Sequence, residues 1–337
     1  MAFQSGALDG TATVSSILDL LRAFAQSSGW TTQLAGTVHH FSRDECHVNL
    51  VAVTSTTIND DGNTGGNIPD HQIAGRLRAT NAPHTAAEVT GSTQRVVSND
   101  MTPPFANYWM FSGGPGDAPY IHLVVQKASG RFCHLSFGVL DKKGAAYTGG
   151  AFLFGMRYAW SFVSSNANQS SNGSNVAGSG HYTPLSSGGP TGYATYNLFT
   201  GDIDNNVIIT DQSSTTFANG KLAALYNTSL SINVSSGSSR WLNPFFHLGP
   251  FPLNGVTALM EAPVMRYSAN QRLQYFGSVP GWRMCSMIGR EEVETVTFGT
   301  DEYLIFPVKR FLPWNPEPIA EKIVTSGPYG YAIKKVA

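Results

Sequence analysis

The sequence predicts a mainly β protein of antiparallel sheets, sandwich or barrel-like, with one N-terminal amphipathic helix and long loops. Three observations support this prediction. Short apolar runs are bounded by turn residues, which is typical of strands. The chain of 337 residues contains 35 glycines. Only 13% of its residues are charged, about half the usual share near 25%.

The N-terminal helix is predicted by an apolar stripe. Thr13 is placed to cap its start, and Gly29 is placed to end it. Trp30 follows where the chain turns back. We interpret the element as a helix that closes one side of a sheet, with an interface helix as the alternative. The apolar positions follow helical spacing: Val14, Ile17, Leu18, Leu21 and Phe24.

The first half of the chain then changes to strand-like patterns. Val48–Thr54 and Asn107–Ser112 are candidate strands, and Asn59–Asn67 is a turn-rich loop. Tyr120–Gly155 has the pattern strand, turn, strand, glycine turn, strand, with aromatic residues on the strands. Tyr158–Val163 is a further candidate strand.

A sharp change in composition divides the chain. Residues 164–190 are almost entirely Ser, Asn and Gly, which predicts a loop or arm. We therefore expect a helix plus β domain at 1–163, a second β region at 191–310 and an extended tail at 311–337. The second half contains a short helix candidate at Lys221–Tyr226 and these candidate strands: Tyr193–Thr200, Val207–Thr210, Leu230–Val234, Gly281–Ile288, Val293–Phe298 and Tyr303–Val308.

Composition also narrows the function classes. The formal net charge is -1 and there is no polybasic run, so we predict no nucleic-acid partner. No apolar run reaches the ~18 residues of a membrane span, so we predict none. Cys46, Cys133 and Cys285 are odd in number and far apart, which predicts free thiols. The opening residues lack the charged and apolar regions of a signal peptide.

Four possible metal ligands lie close together in sequence. They are His39, His40, Cys46 and His47, which lie within a span of nine positions. Their spacing matches no zinc pattern. On a strand, His39 and His40 point to opposite faces. We interpret the histidines as surface or half-buried residues and predict no metal and no cofactor.

Two further functional sites are considered, a calcium-binding loop and an enzyme active site. Asp202, Asp204 and Asn206 resemble the start of a calcium loop, but Val207 stands where an EF-hand needs glycine. No nucleophile or metalloprotease motif is present, so we predict no enzyme and no catalytic residues. A glycosidase-like carboxylate pair stays open: Glu292 and Glu294 would share one face of a strand.

His122 and His134 flank a candidate hairpin. A four-residue loop, Lys127–Gly130, would put the two histidines on opposite faces. A three-residue loop, Lys127–Ser129, would put them directly opposite each other. In either case we interpret them as cross-strand packing residues.

Aromatic residues crowd two regions of the sequence. Base or sugar stacking is one interpretation, but anchoring onto the core or contact with a partner protein is preferred. The candidate interface residues are Trp30, Phe132, Phe137, Tyr147, Phe152, Trp241, Phe245, Phe246 and Tyr303.

Several stretches together resemble structural proteins of tailed bacteriophages. The opening SGALDG…ILDLLRAFAQSSGWT resembles a recurring start of that group. IHLVVQKASGRFCHLSFGVLDKKGAAYTGGAF is similar to its pattern of a hydrophobic strand, an aromatic-rich strand, G-x-L-x-K and TGG. Asp301–Arg310 and Ser326–Lys335 resemble its C-terminal end. The resemblance covers about a third of the chain and implies a virion component in the tail, neck or baseplate.

We therefore expect a structural subunit of a tailed-phage particle, assembled in the bacterial cytoplasm and located in the virion. Its expected partners are copies of itself in a ring or symmetric oligomer, and other tail, neck or baseplate proteins. The alternative is a peripheral virion module that binds host surface glycan through Trp241–Phe251. A glycan hydrolase that uses Glu292 or Glu294 is ranked last.

Overall fold

A computed structural model describes residues 2–55, 70–78, 83, 85–87, 96–98, 101, 103–114, 116–128, 130, 132–144, 150–156, 205–209, 259–267, 273–287, 290–307 and 329–335. Across these ranges the protein is mainly β, with three antiparallel sheets and one helix. The mainly β prediction with one N-terminal helix is therefore confirmed. The described strands do not close into a barrel, and the finer prediction of a sandwich or barrel is not confirmed.

The helix α1 spans Val14–Ser27 and begins with a capping box. Thr13 Oγ1 accepts a hydrogen bond from the backbone N–H of Ser16, and Ser16 Oγ accepts one from the backbone N–H of Thr13. These two bonds satisfy backbone donors that the first helical turn leaves unpaired. Gly29 follows the helix with φ +83°, a backbone conformation that favours glycine. The predicted cap, apolar face and end are all confirmed.

Sheet A has six strands, and all strands are numbered in chain order. It runs β1-β7-β8-β9-β11-β12. Its strands are β1 Ala2–Ala7, β7 Phe105–Ser112, β8 Tyr120–Lys127, β9 Phe132–Val139, β11 Ala151–Met156 and β12 Asn205–Ile209.

Sheet B is a five-stranded meander in the order β2-β3-β4-β5-β6. Asp44, at φ 50°, lies in the tight turn between β3 and β4. The strands are β2 Thr31–Ala35, β3 Val38–Arg43, β4 Cys46–Ser55, β5 Asp70–Arg78 and β6 Val96–Ser98.

Sheet C runs β10-β14-β17-β16-β15, and β13 also pairs with β14. Its strands are β10 Asp141–Lys142, β13 Met260–Tyr267, β14 Leu273–Ser286, β15 Glu294–Phe298, β16 Asp301–Pro307 and β17 Tyr329–Lys335. Tyr329–Lys335 lies inside the tail predicted at 311–337, but it forms a strand between β14 and β16. Small residues at Gly330 and Ala332 fit the buried position of this strand.

Sheet A lies between the other two sheets. One of its faces shares a hydrophobic core with α1 and sheet B, in which Leu50 and Ile73 of sheet B are fully buried. Its other face contacts sheet C through aromatic rings. All eight residues of β9 are buried as a result, so neither face of this strand meets solvent.

The sheets join distant parts of the chain. β10, from the predicted N-terminal domain, pairs with β14 in sheet C, and β12, beyond residues 164–190, pairs with β11 in sheet A. Several predicted features lie outside the described residues: Asn59–Asn67, Tyr158–Val163, 164–190, Tyr193–Thr200, Lys221–Tyr226 and Leu230–Val234.

Candidate functional site

The contact between sheets A and C, here called the A–C seam, is the part of the described structure richest in buried polar and aromatic groups. We define it by Trp109, Phe111, Tyr120, His122, Phe132 and His134 of sheet A, and Trp282, Phe306 and Tyr331 of sheet C.

His122 lies at the centre of the A–C seam and is fully buried. Its Nε2–H donates a hydrogen bond of 2.8 Å to the carbonyl oxygen of Pro280 in β14. The imidazole stacks on Tyr120, with ring centroids 4.6 Å apart, and its centroid lies 5.0 Å from that of Trp282. One side chain of sheet A therefore contacts sheet C through both a hydrogen bond and a ring.

His134 makes a second connection of the same kind. Its Nε2–H donates to the carbonyl oxygen of Pro307, at 3.1 Å, where β16 ends. Its ring meets Tyr331 of β17 edge-on, at a centroid separation of 5.0 Å. The two histidines thus hold carbonyls on two different strands of sheet C.

The observed register differs from both registers that the sequence analysis considered. Gln126 pairs with Phe132, so five residues separate these two paired positions. His122 therefore pairs with Ser136, and His134 pairs with Val124. The two histidines lie diagonally on the same face. The opposite faces predicted for the four-residue loop and the direct pairing predicted for the three-residue loop are both wrong, because the paired positions are separated by more residues than either loop contains.

Burial controls the charge of His122. It lowers the pKa of this imidazole to about 3, and the nearby His134 lowers it further, while the hydrogen bond to Pro280 acts in the opposite direction. His122 is therefore neutral near pH 7, with its proton on Nε2. Its Nδ1 is buried and has no hydrogen-bond partner among the described residues. Burial also raises the pKa of the neighbouring Tyr120 hydroxyl.

The histidines of sheet B do not converge into a metal centre. His39 and His40 pair with Leu50 and Asn49 on adjacent positions of β4, so they point to opposite faces as predicted. Both are buried, which corrects the expectation of surface or half-buried histidines. Burial lowers the pKa of His39 and also that of His47, which is only partly buried. Across the described ranges, no three His, Cys, Asp or Glu side chains form a group that could hold a metal ion.

The three cysteines are buried free thiols, as the sequence predicts. Cys133 lies within β9, and its side chain belongs to the core that faces α1. Burial raises the pKa of the Cys46 and Cys285 thiols. These two thiols are therefore protonated near neutral pH and are poor nucleophiles.

The two glutamates considered for glycan hydrolysis do not share a strand face. β15 begins at Glu294, and Glu292 lies in the turn before it. Val293 between them has φ 64°, so the strand alternation that the prediction assumed does not reach Glu292. The Glu294 carboxylate instead lies 2.7 Å from the Arg290 guanidinium and accepts a hydrogen bond from the backbone of Glu291.

Five of the nine candidate interface residues lie in the described part of the chain, and all five are buried within it. Trp30 meets Phe137 edge-on at 5.2 Å in the core below sheet A. The other three are Phe132, Phe152 and Tyr303. Tyr147, Trp241, Phe245 and Phe246 lie outside the described residues, as do Asp202 and Asp204.

Comparison with known proteins gives no assignment. No protein-family model matches the sequence, and a search of curated proteins gives no significant match. Within the part of the chain that the structure describes, α1 falls short of the length needed to cross a membrane, and no other helix there meets that need.

Proposed function

We propose that this chain is a structural subunit of a tailed-phage particle, in the tail, neck or baseplate, and that it acts by assembling with copies of itself. The proposal starts from the resemblance of four separate stretches to phage structural proteins. It concerns a protein made in the bacterial cytoplasm and carried in the virion.

One observation carries the proposal: the stretches that bear the resemblance pack on one another. Trp30, which follows α1, contacts Phe137 of β9. On the opposite face of sheet A, Phe306 of β16 contacts Phe132 of β9, and Tyr331 of β17 contacts His134. The resembling residues therefore form one body of packed strands, which favours a role as a scaffold.

Two outer strands offer surfaces for assembly. β2 pairs only with β3, and β15 pairs only with β16, among the described strands. The sequence of β2, TTQLA, has neither a charge nor a proline, the usual protections of an exposed edge. Leu34 of β2 is 47% exposed and Phe298 of β15 is 52% exposed, and they are the exposed large hydrophobic side chains of the described residues.

Assembly is tested by measuring the mass of the purified full-length chain in solution. We expect light scattering after size-exclusion chromatography to give an oligomer, with closed rings in electron micrographs. Leu34→Lys places a charge on the β2 edge and should shift the protein toward the monomer. Gln26→Lys adds the same charge on the exposed side of α1 and should leave the mass unchanged.

Location in the virion needs a separate measurement. Mass spectrometry of purified particles of the phage that encodes this chain should detect the protein. A protein that is monomeric in solution and absent from the particle would contradict the proposed function.

A further inference from the structure

We propose that the A–C seam is an acid-sensitive joint, in which protonation of His122 releases sheet C from sheet A. The inference rests on the packing of the described residues and does not depend on the proposed function.

The hydrogen bonding of His122 allows one protonation state in the closed seam. Its Nε2–H is used by the carbonyl of Pro280, 2.8 Å away. A second proton would have to bind Nδ1, which is buried and has no hydrogen-bond partner among the described residues. A buried charge without a partner is costly, so the imidazolium form favours an open seam where Nδ1–H can reach water.

The groups that face His122 do not compensate a positive charge. Along its own strand it meets Tyr120, whose hydroxyl has a raised pKa, and across β9 it meets Ser136 and the second imidazole, His134. Phe111 of β7 is its apolar cross-strand partner. From sheet C it is faced by Trp282, which in turn contacts Tyr331. Asp117, Asp301 and Tyr303 act on Tyr120 but are not among the influences on His122.

On the other face of sheet A, the described residues of β8 and β9 include no buried histidine. Ile121, Leu123 and Val125 of β8, and Leu135 of β9, point into the core shared with α1 and sheet B. Acid should therefore loosen sheet C while the contact between α1 and sheet A is retained. His39 and His47 of sheet B also have lowered pKa values, and a control variant must separate their effect.

The direction of the effect follows from linkage. The pKa of His122 in the closed seam is below its ordinary value of 6.5, so an open seam binds more protons as the pH falls below 6.5. Stability of the joint is complete above that pH and is lost progressively below it. Between pH 7.5 and pH 5.0 the opening equilibrium should rise about 30-fold from this residue alone.

Hydrogen exchange read by mass spectrometry tests the joint on the full-length chain. Exchange at pH 7.5 and pH 5.0, corrected for the intrinsic pH dependence of amide exchange, gives the opening equilibrium of each segment. We expect β14, β16 and β17 to lose protection about 30-fold more than α1. Equal loss in α1 and sheet C, or no loss in sheet C, would overturn the proposal.

Two variants assign the effect to its residue. His122→Gln keeps an N–H donor for Pro280 but has no titratable nitrogen, so the extra loss at pH 5.0 should disappear. His39→Gln removes a buried histidine of sheet B and should leave that loss in place. The proposal is wrong if the pH effect follows His39.

Nitrogen NMR of the wild-type imidazoles gives an answer even where His122→Gln does not fold. At pH 5.0 we expect the His122 signals of the closed protein to be those of the neutral form with the proton on Nε2. An imidazolium signal from His122 in a protein whose sheet C amides are still protected would refute the joint.

Discussion

The two faces of sheet A are packed by different chemistry, although they are formed by alternate residues of the same strands. Toward α1 and sheet B, β8 and β9 present aliphatic side chains such as Leu123 and Leu135. Toward sheet C they present His122, His134 and Ser136, enclosed by rings. The first face is held by burial of apolar surface, and the second also depends on directional hydrogen bonds to Pro280 and Pro307.

This difference shows how one sheet can combine a permanent contact with a conditional one. Burial of aliphatic groups is nearly independent of pH, whereas a buried imidazole is tolerated only in its neutral form. Replacement of residues on each face should therefore give effects of different size and different pH dependence.

The largest effect is expected on the aliphatic face, from Leu135→Ala. Leu135 is buried in the core shared with α1, and a buried Leu→Ala change costs ~2–5 kcal/mol of unfolding free energy. Urea unfolding followed by circular dichroism measures the loss. Gln26→Ala, on the exposed side of α1, is the control and should change stability by less than about 0.5 kcal/mol.

The next effect is expected in the A–C seam, from Gly281→Ala. Gly281 has φ +71°, and a Cβ there would lie 2.6 Å from the Tyr120 hydroxyl oxygen. Gly299, at φ +65°, has open space around the same position. Both changes cost ~1–2 kcal/mol of backbone strain, but only Gly281→Ala adds a collision in a packed core, for ~1–3 kcal/mol more.

The comparison of Gly281→Ala with Gly299→Ala is made by thermal or urea unfolding of both variants. Equal losses of stability would mean that Tyr120 moves aside without cost. The seam would then be more loosely packed than the ring contacts indicate.

A smaller effect is expected from an ion pair between sheets B and C. Lys142 Nζ of β10 lies 2.6 Å from Glu45 Oε1 in the turn between β3 and β4. Both side chains are partly exposed, so the pair should contribute about 0.2–1 kcal/mol. A double-mutant cycle of Lys142→Gln and Glu45→Gln measures the coupling, which should fall as salt is added.

The smallest effect is expected from Ser136→Ala, at the residue that follows Leu135 in the sequence. Ser136 follows Leu135 in β9 but faces the seam, and its buried hydroxyl has no hydrogen-bond partner among the described residues. Loss of a hydroxyl without a partner removes no bond, so stability should be unchanged or slightly increased. A loss above about 1 kcal/mol in urea unfolding would reveal a partner for this hydroxyl.

Local patterns were sufficient to predict the elements whose signals are local. The apolar stripe from Val14 to Phe24, with Thr13 before it, gave α1 and its cap. Aromatic and β-branched runs gave the strands β4, β7, β8, β9 and β16 near their observed positions. The opposite faces of His39 and His40 were predicted for the same reason, whereas the free cysteines followed from their odd number and wide separation.

Pairing between distant strands could not be predicted. Nothing near Asp141 indicates that it pairs with Ser278, and the prolines before β17 favoured an extended tail over a strand. The candidate site was missed for a related reason: the shared face of His122 and His134 depends on a register that the sequence between them does not determine. Conversely, the aromatic residues chosen as interface candidates are apolar enough to lie either in an interface or in the core. Five of them are buried within the chain.

The place of β17 in sheet C has a consequence for synthesis of the protein. β17 lies between β14 and β16, so sheet C cannot be completed until residue 335 has left the ribosome. Sheet A, whose strands β7 to β11 are made much earlier, exposes His122, Phe132 and His134 until the strands of sheet C that cover them have been made. Exposed apolar surface on a partly made chain promotes aggregation and chaperone binding, so the late strands act as the cover that ends this vulnerable period.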